Sequence, residues 1–524
     1  MKLLFKRQSG TFAQALKRRA GRMAGVAALA LATTLALPAA PAHAAESELR
    51  IASFRHPTTL DPLTGSSGYD HAFLYPVYDT LIGMDPATLE LKPALAEKWT
   101  FTDPQTLVLD LREGVKFHDG TPFDAEAARY NLERARAGER SNVKSTMKAV
   151  ERIEVTGPMQ VTLHLNTPDI SLPGVLTDRA GMMVSPKAAE NGDELDRNPV
   201  GTGPWKFGSW TSNDTLVFER NADYWQEGVA RVDALNFVYV ADVNTGLRSV
   251  VAGQNHFVYG LAPQQKSVVD RANNVVAVSA PTLQVNQFFM NYGKKPLSDA
   301  RVREAVNLAI NRDQFTKVTT LGLGKPASSL FPEEYWAHDS SIQYEHNVAR
   351  AKELLAEAGY PDGVTLSAVG LPDQAWQQRQ EVLISMLAQA GIKLDVVRLA
   401  PAAALSRFFR EGNDDVFISL WTGRADPSTT FDGLFALEAF FNAGHVDVTD
   451  GELINAMKEA RSIVDREERV GALKKVQQIL HDNDLFTPLN FETQLIAHTD
   501  QLEGFTPNLL GKPRFDGVVF KDKN

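Results

Sequence analysis

The chain has 524 residues, 44% of them hydrophobic and 23% charged, which is the composition of a globular protein that is too long for a single core. Its formal net charge is −10, and this acidic balance argues against nucleic acid or an anionic membrane surface as the main partner. The absence of cysteine excludes disulfide bonds and thiolate chemistry.

Residues 1–44 have the pattern of an export signal. They carry seven Lys and Arg and no Asp or Glu, the apolar stretch 23–37 is short for a membrane span, and Ala42-His43-Ala44 has the form of a cleavage site. We predict a mature chain from Ala45 with 47 basic and 64 acidic residues, a net charge of −17. The pair Arg18-Arg19 is compatible with export by the twin-arginine route, but the small residues after it favour the general secretory route. With no cysteine to accept a lipid, we expect a soluble periplasmic protein.

The start of the mature chain is predicted to bring a glycine-rich loop close to a helix. Leu49–Ser53 is typical of a first strand, and the loop 65–71 is predicted to lead into a helix that extends to Leu81. Such loops reach ligands in some proteins and are simple connectors in others. Tyr69 and His71 are therefore candidate ligand contacts, with the connector as the alternative.

The region that follows is predicted to be rich in strands. The leucines of 107–111 alternate with other residues, as in a half-exposed strand, and 153–155 and 161–165 flank a Gly-Pro turn as a hairpin. Asp124 is placed to cap a helix over 125–136.

The second half alternates strands with amphipathic helices, which is typical of an α/β lobe. Helices are predicted over 347–358 and 467–482, where apolar residues recur at helical spacing. Val416–Leu420 is a short apolar run of the kind that forms a strand buried on both faces.

The loop after this strand is the main candidate binding site. It presents Trp421 for packing, Thr422 as a hydroxyl, Arg424 for a carboxylate and Asp426 for an ammonium group, a set that suits a small zwitterionic ligand. The alternative is that Arg424 and Asp426 pair with each other at the surface.

Two further candidates lie outside this loop. Arg179 follows Asp178 in front of an apolar stretch, so it either clamps the ligand from the opposite side or forms a structural ion pair with Asp178. Asn286 lies where the chain passes into its second half, and its amide is placed to bond either ligand backbone or a strand edge.

Several motifs occur in a fixed order along the chain. They are Leu-Ala-Glu-Lys-Trp at 95–99, Leu-Arg-Glu-Gly-Val-Lys-Phe-His-Asp-Gly at 111–120, Gly-Thr-Gly-Pro at 201–204, Asn-Ala-Asp-Tyr-Trp at 221–225, Arg-Glu-Ala and then Ala-Ile-Asn-Arg within 303–312, and Gly-Tyr-Pro at 359–361. Together the motifs resemble the family 5 extracellular solute-binding proteins, the dipeptide-, oligopeptide- and nickel-binding receptors of ABC importers. Asn311 departs from the usual Asp of that pattern.

The resemblance implies an α/β, two-lobed periplasmic binding protein fold of type II, with an additional β-rich subdomain in lobe I. Lobe I is expected over 45–280 and again over 487–524, and lobe II over 281–486, so that the chain crosses between lobes near Gln284 and Leu489. A small peptide-like solute would bind between the lobes, which close by a hinge motion. The closed form, a monomer without cofactor, would then dock on a membrane permease whose ATPase drives import.

The resemblance also bears on the candidate loop. Dipeptide receptors of this family hold the ligand ammonium with an Asp in a Trp-x-Gly…Asp-Pro loop, and Trp421, Gly423, Asp426 and Pro427 match that pattern. Arg424 is a departure, because it places a cation beside the acid, and it leaves room for a ligand with an extra carboxylate.

Other functions stay open at this point. A nickel-chelate or haem receptor of the same fold is one alternative, although no His-x-x-x-His pair predicts a metal site. A secreted hydrolase with paired carboxylates is another, but no acidic pair lies on a recognisable catalytic motif and no Gly-x-Ser-x-Gly is present.

Overall fold

The computed structural model describes residues 47–65, 67–190 and 192–521, and the predicted export signal lies outside them. The strands of this part of the chain are β1 (Glu48–Ser53), β2 (Ile82–Met84), β3 (Leu91–Pro93), β4 (Ala96–Asp103), β5 (Thr106–Leu111), β6 (Val150–Gly157), β7 (Gln160–Leu165), β8 (Trp205–Trp210), β9 (Thr215–Arg220), β10 (Ala234–Tyr239), β11 (Phe257–Leu261), β12 (Val275–Met290), β13 (Lys325–Pro326), β14 (Val364–Gly370), β15 (Ile392–Arg398), β16 (Val416–Thr422), β17 (Pro488–Thr499), β18 (Leu502–Glu503) and β19 (Val519–Phe520).

The α-helices of the same residues are α1 (His71–Leu74), α2 (Ala125–Ala137), α3 (Leu172–Val175), α4 (Pro186–Ala189), α5 (Val243–Val251), α6 (Lys266–Val269), α7 (Ala300–Ala309), α8 (Arg312–Thr320), α9 (Val348–Glu357), α10 (Gln374–Gln389), α11 (Pro401–Leu405), α12 (Pro427–Phe435), α13 (Glu452–Ala460) and α14 (Arg466–Asp482). None of the helices in the described ranges is long and apolar enough to cross a membrane.

One large mixed sheet organises the molecule. It contains 11 strands, in the order β15-β14-β16-β12-β17-β11-β1-β10-β9-β8, and β13 pairs with β17 beside this path. The parallel strands lie in its two flanks, β14 with β15 and β16 in one and β1 with β10 and β11 in the other. The strands between them, β12 and β17, are antiparallel to each other and join the flanks.

The two central strands are long enough to border both flanks. Gln284–Met290 of β12 pairs with β16, while 495–498 of β17 pairs with β11. On their other edges β12 and β17 pair with each other from Val275 with Thr499 to Gln287 with Pro488, with register shifts around 281–287. The predicted crossings near Gln284 and Leu489 fall within these two strands, and the lobe boundaries themselves remain a prediction.

A second sheet forms the β-rich subdomain that was predicted. Its four strands have the order β4-β5-β7-β6 and are antiparallel throughout. The leucines of β5 face the core, and Leu132 of α2 packs into the same cluster. Asp124 accepts a hydrogen bond from the Ala127 N–H and caps α2, as the sequence predicts.

Most predicted elements lie where the sequence places them, with one clear error. The helices predicted over 347–358 and 467–482 correspond to α9 and α14. The helix that was predicted to extend to Leu81 is wrong, since α1 ends at Leu74. Pro76 follows closely, and a proline lacks the N–H that a continuing helix requires.

Strand β16 is buried on both faces, as predicted, because two groups of helices cover it. Val416 and Ile418 pack in a core that includes residues of α7, α9 and α10. Phe417 and Trp421 face the opposite core, which includes residues of α12, α13 and α14. The strand therefore holds the loop at its end on a rigid support.

The Gly-Thr-Gly-Pro motif packs against the segment that follows α1. The Gly203 N–H donates to the Val77 carbonyl at 2.8 Å, and His118 Nε2 lies 2.9 Å from the Gly203 carbonyl. Burial lowers the pKa of His118 to about 4, so its neutral ring donates from Nε2 and accepts from the Gly201 N–H at Nδ1. His118 thus satisfies backbone groups, and two of the motifs are in direct contact.

We expect Gly201→Ala to destabilise the protein. An added Cβ would lie 2.1 Å from the Val77 carbonyl oxygen and 2.5 Å from the ring of the buried Tyr78, so a small adjustment cannot relieve the overlap. Overpacking of this kind costs about 1–3 kcal/mol. Gly471→Ala in α14 is the matched control, because its Cβ meets open space and should stabilise the helix by about 0.5–1 kcal/mol. Urea unfolding measures both variants, and equal stability for the two would contradict the packing of this turn.

Candidate functional site

A cavity of about 540 Å³ lies at the end of β16. One wall is the loop Trp421–Asp426 and the opposite wall is the segment 174–180, with Leu510 and Lys512 at the side. The other lining residues are Gly68, His71, Val143, Thr146, Leu371, Pro401, Leu405, Phe417, Ser419, Leu420, Thr429 and Phe441. Its size and mixed lining are those of a small-molecule site.

The loop after β16 is held in place by its backbone. The Gly423 N–H donates to the Leu283 carbonyl at 3.0 Å, and the Arg424 N–H donates to Thr430 Oγ1 at 3.0 Å. Tyr335 donates its hydroxyl hydrogen to the Ala425 carbonyl at 2.6 Å. These bonds fix the backbone of the loop, and none of them uses the Arg424 side chain.

Arg424 is the cation of the cavity with the most unused donors. The residue is exposed to solvent. Its guanidinium donates to the Thr422 carbonyl at 3.1 Å and lies 5.2 Å from the centre of the Trp421 ring. Among the described residues no carboxylate forms an ion pair with it. The surrounding walls lower its pKa by desolvation, although the charge of Asp178 acts in the opposite direction.

Asp426 is occupied by a partner that the sequence analysis did not consider. Arg469 of α14 donates to its two carboxylate oxygens at 2.7 and 2.8 Å, and both side chains are buried. The Asp426 carboxylate also accepts from the Ser428 N–H and caps α12. The alternative, a surface pair of Asp426 with Arg424, does not form, and these contacts favour a structural role for Asp426 over the ammonium-binding role.

Arg179 lines the cavity but uses its donors elsewhere. Its guanidinium bonds the carbonyls of Pro62 and Ser67 at 3.0 and 2.7 Å and Asp70 at 3.2 Å. It therefore fixes the glycine-rich loop, and its ion-pair partner is Asp70 rather than Asp178. This geometry favours the structural alternative for Arg179.

Asp178 in the opposite wall forms a charged cluster with His71 and with Lys512 at the side of the cavity. His71 Nε2 lies 2.5 Å from Asp178 Oδ1, and Lys512 Nζ lies 3.3 Å from His71 Nε2 and 3.9 Å from Asp178 Oδ2. Burial alone would raise the pKa of Asp178, but the neighbouring positive charges outweigh it and hold the pKa well below its usual range. Asp178 is thus an ionised carboxylate with one oxygen, Oδ2, free of a direct hydrogen bond from the described residues.

A second cavity of about 440 Å³ adjoins the first. The two share Gly68, Thr422, Leu510 and Lys512 in their linings. Tyr69 lies in this second cavity, where the Arg55 guanidinium is 4.0 Å from the centre of its ring. The two cavities are parts of one cleft.

Asn286 does not line either cavity. Its amide is fully buried and donates to Asn490 Oδ1 at 3.0 Å and to Glu492 Oε1 at 2.9 Å, both on β17. The structure favours the strand-edge alternative for this residue, because its donors join the two central strands.

The structure thus brings together six of the eight candidates in the first cavity, adds Tyr69 in the second, and leaves Asn286 in the sheet. Sequence reasoning missed Lys512 and treated Asp178 only as a possible partner of Arg179. Lys512 had a weak signal, since Gly511-Lys512 repeats the glycine-then-cation step of Gly423-Arg424 in the loop after β16. The roles of these residues toward a ligand remain predictions.

A family model for bacterial extracellular solute-binding proteins, family 5 Middle, matches residues 90–441 of the chain. The chain belongs to this family. Glutathione-binding protein GsiB of Escherichia coli (strain K12) is 30% identical over 508 residues, which cover 93% of this chain and 96% of that protein.

Solved structures of family 5 proteins have the same fold. HbpA2 from Haemophilus parasuis matches with a TM-score of 0.81 and 22% identity, over 90% of this chain and 100% of that chain. The periplasmic binding protein DppA from Helicobacter pylori, in complex with peptide STSA, matches with a TM-score of 0.76 and 23% identity, over 91% and 99%. The predicted type II fold and the predicted class of function, substrate binding for an ABC importer, are confirmed. The family serves several ligands, so the ligand has to be inferred from the cleft.

We expect Asp426→Asn to destabilise the protein in the absence of ligand. The substitution leaves Arg469 buried opposite a neutral group, and breaking a buried ion pair costs about 3–5 kcal/mol. Arg469→Met should cost a similar amount, and the double variant less than the sum. Asp395→Asn on the exposed face of β15 is the control.

Urea unfolding and ligand titration of the same variants separate the two roles of Asp426. An Asp426→Asn protein with unchanged stability and an affinity lowered tenfold or more would restore the ammonium-binding role that the sequence predicts.

Proposed function

We propose that the protein captures a small peptide or a related zwitterionic solute in this cleft and delivers it to the membrane permease of an ABC importer. The observation that carries this proposal is the pair of opposite charges across the cavity. Arg424 offers unused guanidinium donors from the loop after β16, and Asp178 offers a free carboxylate oxygen from the facing wall.

The two groups suit the two ends of an amino-acid backbone. A carboxylate accepts paired hydrogen bonds from a guanidinium, and an ammonium group donates to a carboxylate oxygen. In this assignment Asp178 binds the ammonium group, the role predicted for Asp426, while Asp426 keeps the loop rigid. Trp421 contributes an apolar surface to the wall of the cavity, since it is almost fully buried and packs edge-to-face on Phe441.

Relatives support a peptide-like ligand. GsiB is named for binding glutathione, and the DppA structure contains a peptide. Glutathione is therefore a rational first probe, with unmodified di- and tripeptides beside it. The family and its neighbours are binding proteins, and we expect the solute to leave the cleft with no bond broken. We expect the mature protein to act as a monomer in the periplasm and to release its ligand to a permease and ATPase complex.

Contacts across the cleft support closure around the ligand. Gly174 of α3 packs so closely against the loop after β16 that an added Cβ would lie 2.8 Å from the Asp426 Cβ. Arg461, directly after α13, donates to Asp169, which precedes α3, at 2.6 Å, and both side chains are largely buried. These contacts hold the two walls together and would have to separate for a ligand to enter.

We expect Gly174→Ala to weaken ligand binding by about tenfold or more, because the closed walls no longer fit and overpacking costs 1–3 kcal/mol. Gly157→Ala in the β6–β7 hairpin is the matched control, since its Cβ would meet only an ordinary contact at 3.4 Å. Calorimetric titration with glutathione and with peptides measures affinity, and mass spectrometry of the recovered ligand tests for turnover.

Small-angle scattering should show a smaller radius of gyration for the wild type with ligand than without it, and a reduced change for Gly174→Ala. A radius that stays constant at saturating ligand would contradict closure, and a chemically altered ligand would contradict the receptor function.

A further inference from the structure

The charges of the cleft do not balance for a simple dipeptide. Three ion pairs in its walls are already neutralised: Asp426 with Arg469, Arg179 with Asp70 and, in the second cavity, Glu492 with Arg379. The charged groups that remain are Arg424, Lys512 and Asp178, and Asp178 already pairs through Oδ1 with His71 Nε2, so that only its Oδ2 is left to accept from a ligand. A zwitterion with one carboxylate and one ammonium satisfies Arg424 and Asp178 and leaves Lys512 without an anionic ligand group.

Lys512 is placed to contact a ligand. Its side chain is largely buried, yet it lines both cavities where they join. Its ammonium has three donors. One faces His71 Nε2 at 3.3 Å, and Asp178 Oδ2 is 3.9 Å away, beyond hydrogen-bond distance. At least one donor therefore remains for a group in the cleft.

His71 cannot supply that group, because its own bonds fix its ring. Nδ1 lies 3.1 Å from the Gly68 carbonyl, which requires a hydrogen on Nδ1. Nε2 lies 2.5 Å from Asp178 Oδ1, so those two atoms share a hydrogen and Nε2 is a poor acceptor for Lys512. A buried ammonium group with so little compensation is costly unless a ligand anion completes its surroundings.

We propose that Lys512 is a specificity-determining residue that binds a second carboxylate of the ligand, so that the preferred solute is a peptide-like molecule with one more carboxylate than ammonium groups. This inference rests on the proposed function and narrows its substrate class to acidic peptides, including side-chain-linked ones. Arg424 binds the terminal carboxylate of the ligand and Asp178 binds its ammonium group. Lys512 binds the additional carboxylate at the junction of the two cavities.

Calorimetric titration with the tripeptides Ala-Glu-Ala and Ala-Gln-Ala tests the proposal, because the two differ only in the charge of one side chain. For the wild type we expect Ala-Glu-Ala to bind at least about tenfold more tightly, as a charge-assisted hydrogen bond warrants. In Lys512→Gln this preference should fall to less than about threefold, through weaker binding of Ala-Glu-Ala and little change for Ala-Gln-Ala. Arg424→Gln should weaken both peptides and leave the preference largely intact.

Two control variants test whether a change in the overall charge of the protein is enough to alter peptide affinity. Lys458→Gln in α13 and Arg231→Gln replace exposed cations that line neither cavity, and both should bind the two peptides as the wild type does. Circular dichroism and the melting temperature of each variant establish that it is folded before titration.

The possible results separate this inference from the proposed function. Equal affinity of the wild type for the two peptides, or a preference that survives in Lys512→Gln, would overturn the role of Lys512 while peptide binding itself stands. Failure of the wild type to bind either tripeptide or glutathione would overturn the peptide class and this inference together.

Discussion

The pairing of β12 with β17 is the interaction on which the rest of the structure depends. These strands, of 16 and 12 residues, are the link between the two flanks of the large sheet. Asn286 strengthens that link from inside, since its amide joins β12 to Asn490 and Glu492 of β17, and Glu492 in turn accepts from Arg379 at 2.5 Å. The cleft opens beside these strands, so a change in their mutual geometry changes the distance between its walls. A hinge at this position would let ligand binding control closure.

The charge arrangement of the cleft follows a consistent physical rule. Charges that have to be rigid are paired and buried, as in Asp426 with Arg469, while charges that have to meet a ligand keep unused donors or acceptors. Asp426 is informative because it matches the ammonium-binding position of dipeptide receptors and yet has an internal partner. Because Arg469 neutralises that carboxylate, Arg424 has no carboxylate partner among the described residues. Asp178 is then the accessible acid of the opposite wall. The site is thereby shifted toward ligands that carry more negative charge.

Local patterns in the sequence predicted much of the fold, because periodicity and capping depend on neighbouring residues. Strand β16, the cap of α2 by Asp124 and helix α14 lie where the sequence places them. The candidate site was predicted less completely, because its electrostatics depend on pairs that are distant in the chain. Asp426 meets Arg469 across 43 positions, and Arg179 meets Asp70 across 109. No local pattern identifies such partners, and the same holds for Lys512, which returns to the cleft from the C-terminal segment.

The natural ligand tests the account most directly. Protein purified from its native host without unfolding should carry that ligand in the closed cleft, and denaturation followed by mass spectrometry identifies what is released. We expect a small peptide-like molecule with more carboxylates than ammonium groups. A metal chelate, a haem or a peptide with a net positive charge would contradict it, because none of these is a peptide-like molecule that offers an ammonium group to Asp178 and an excess of carboxylates to Arg424 and Lys512.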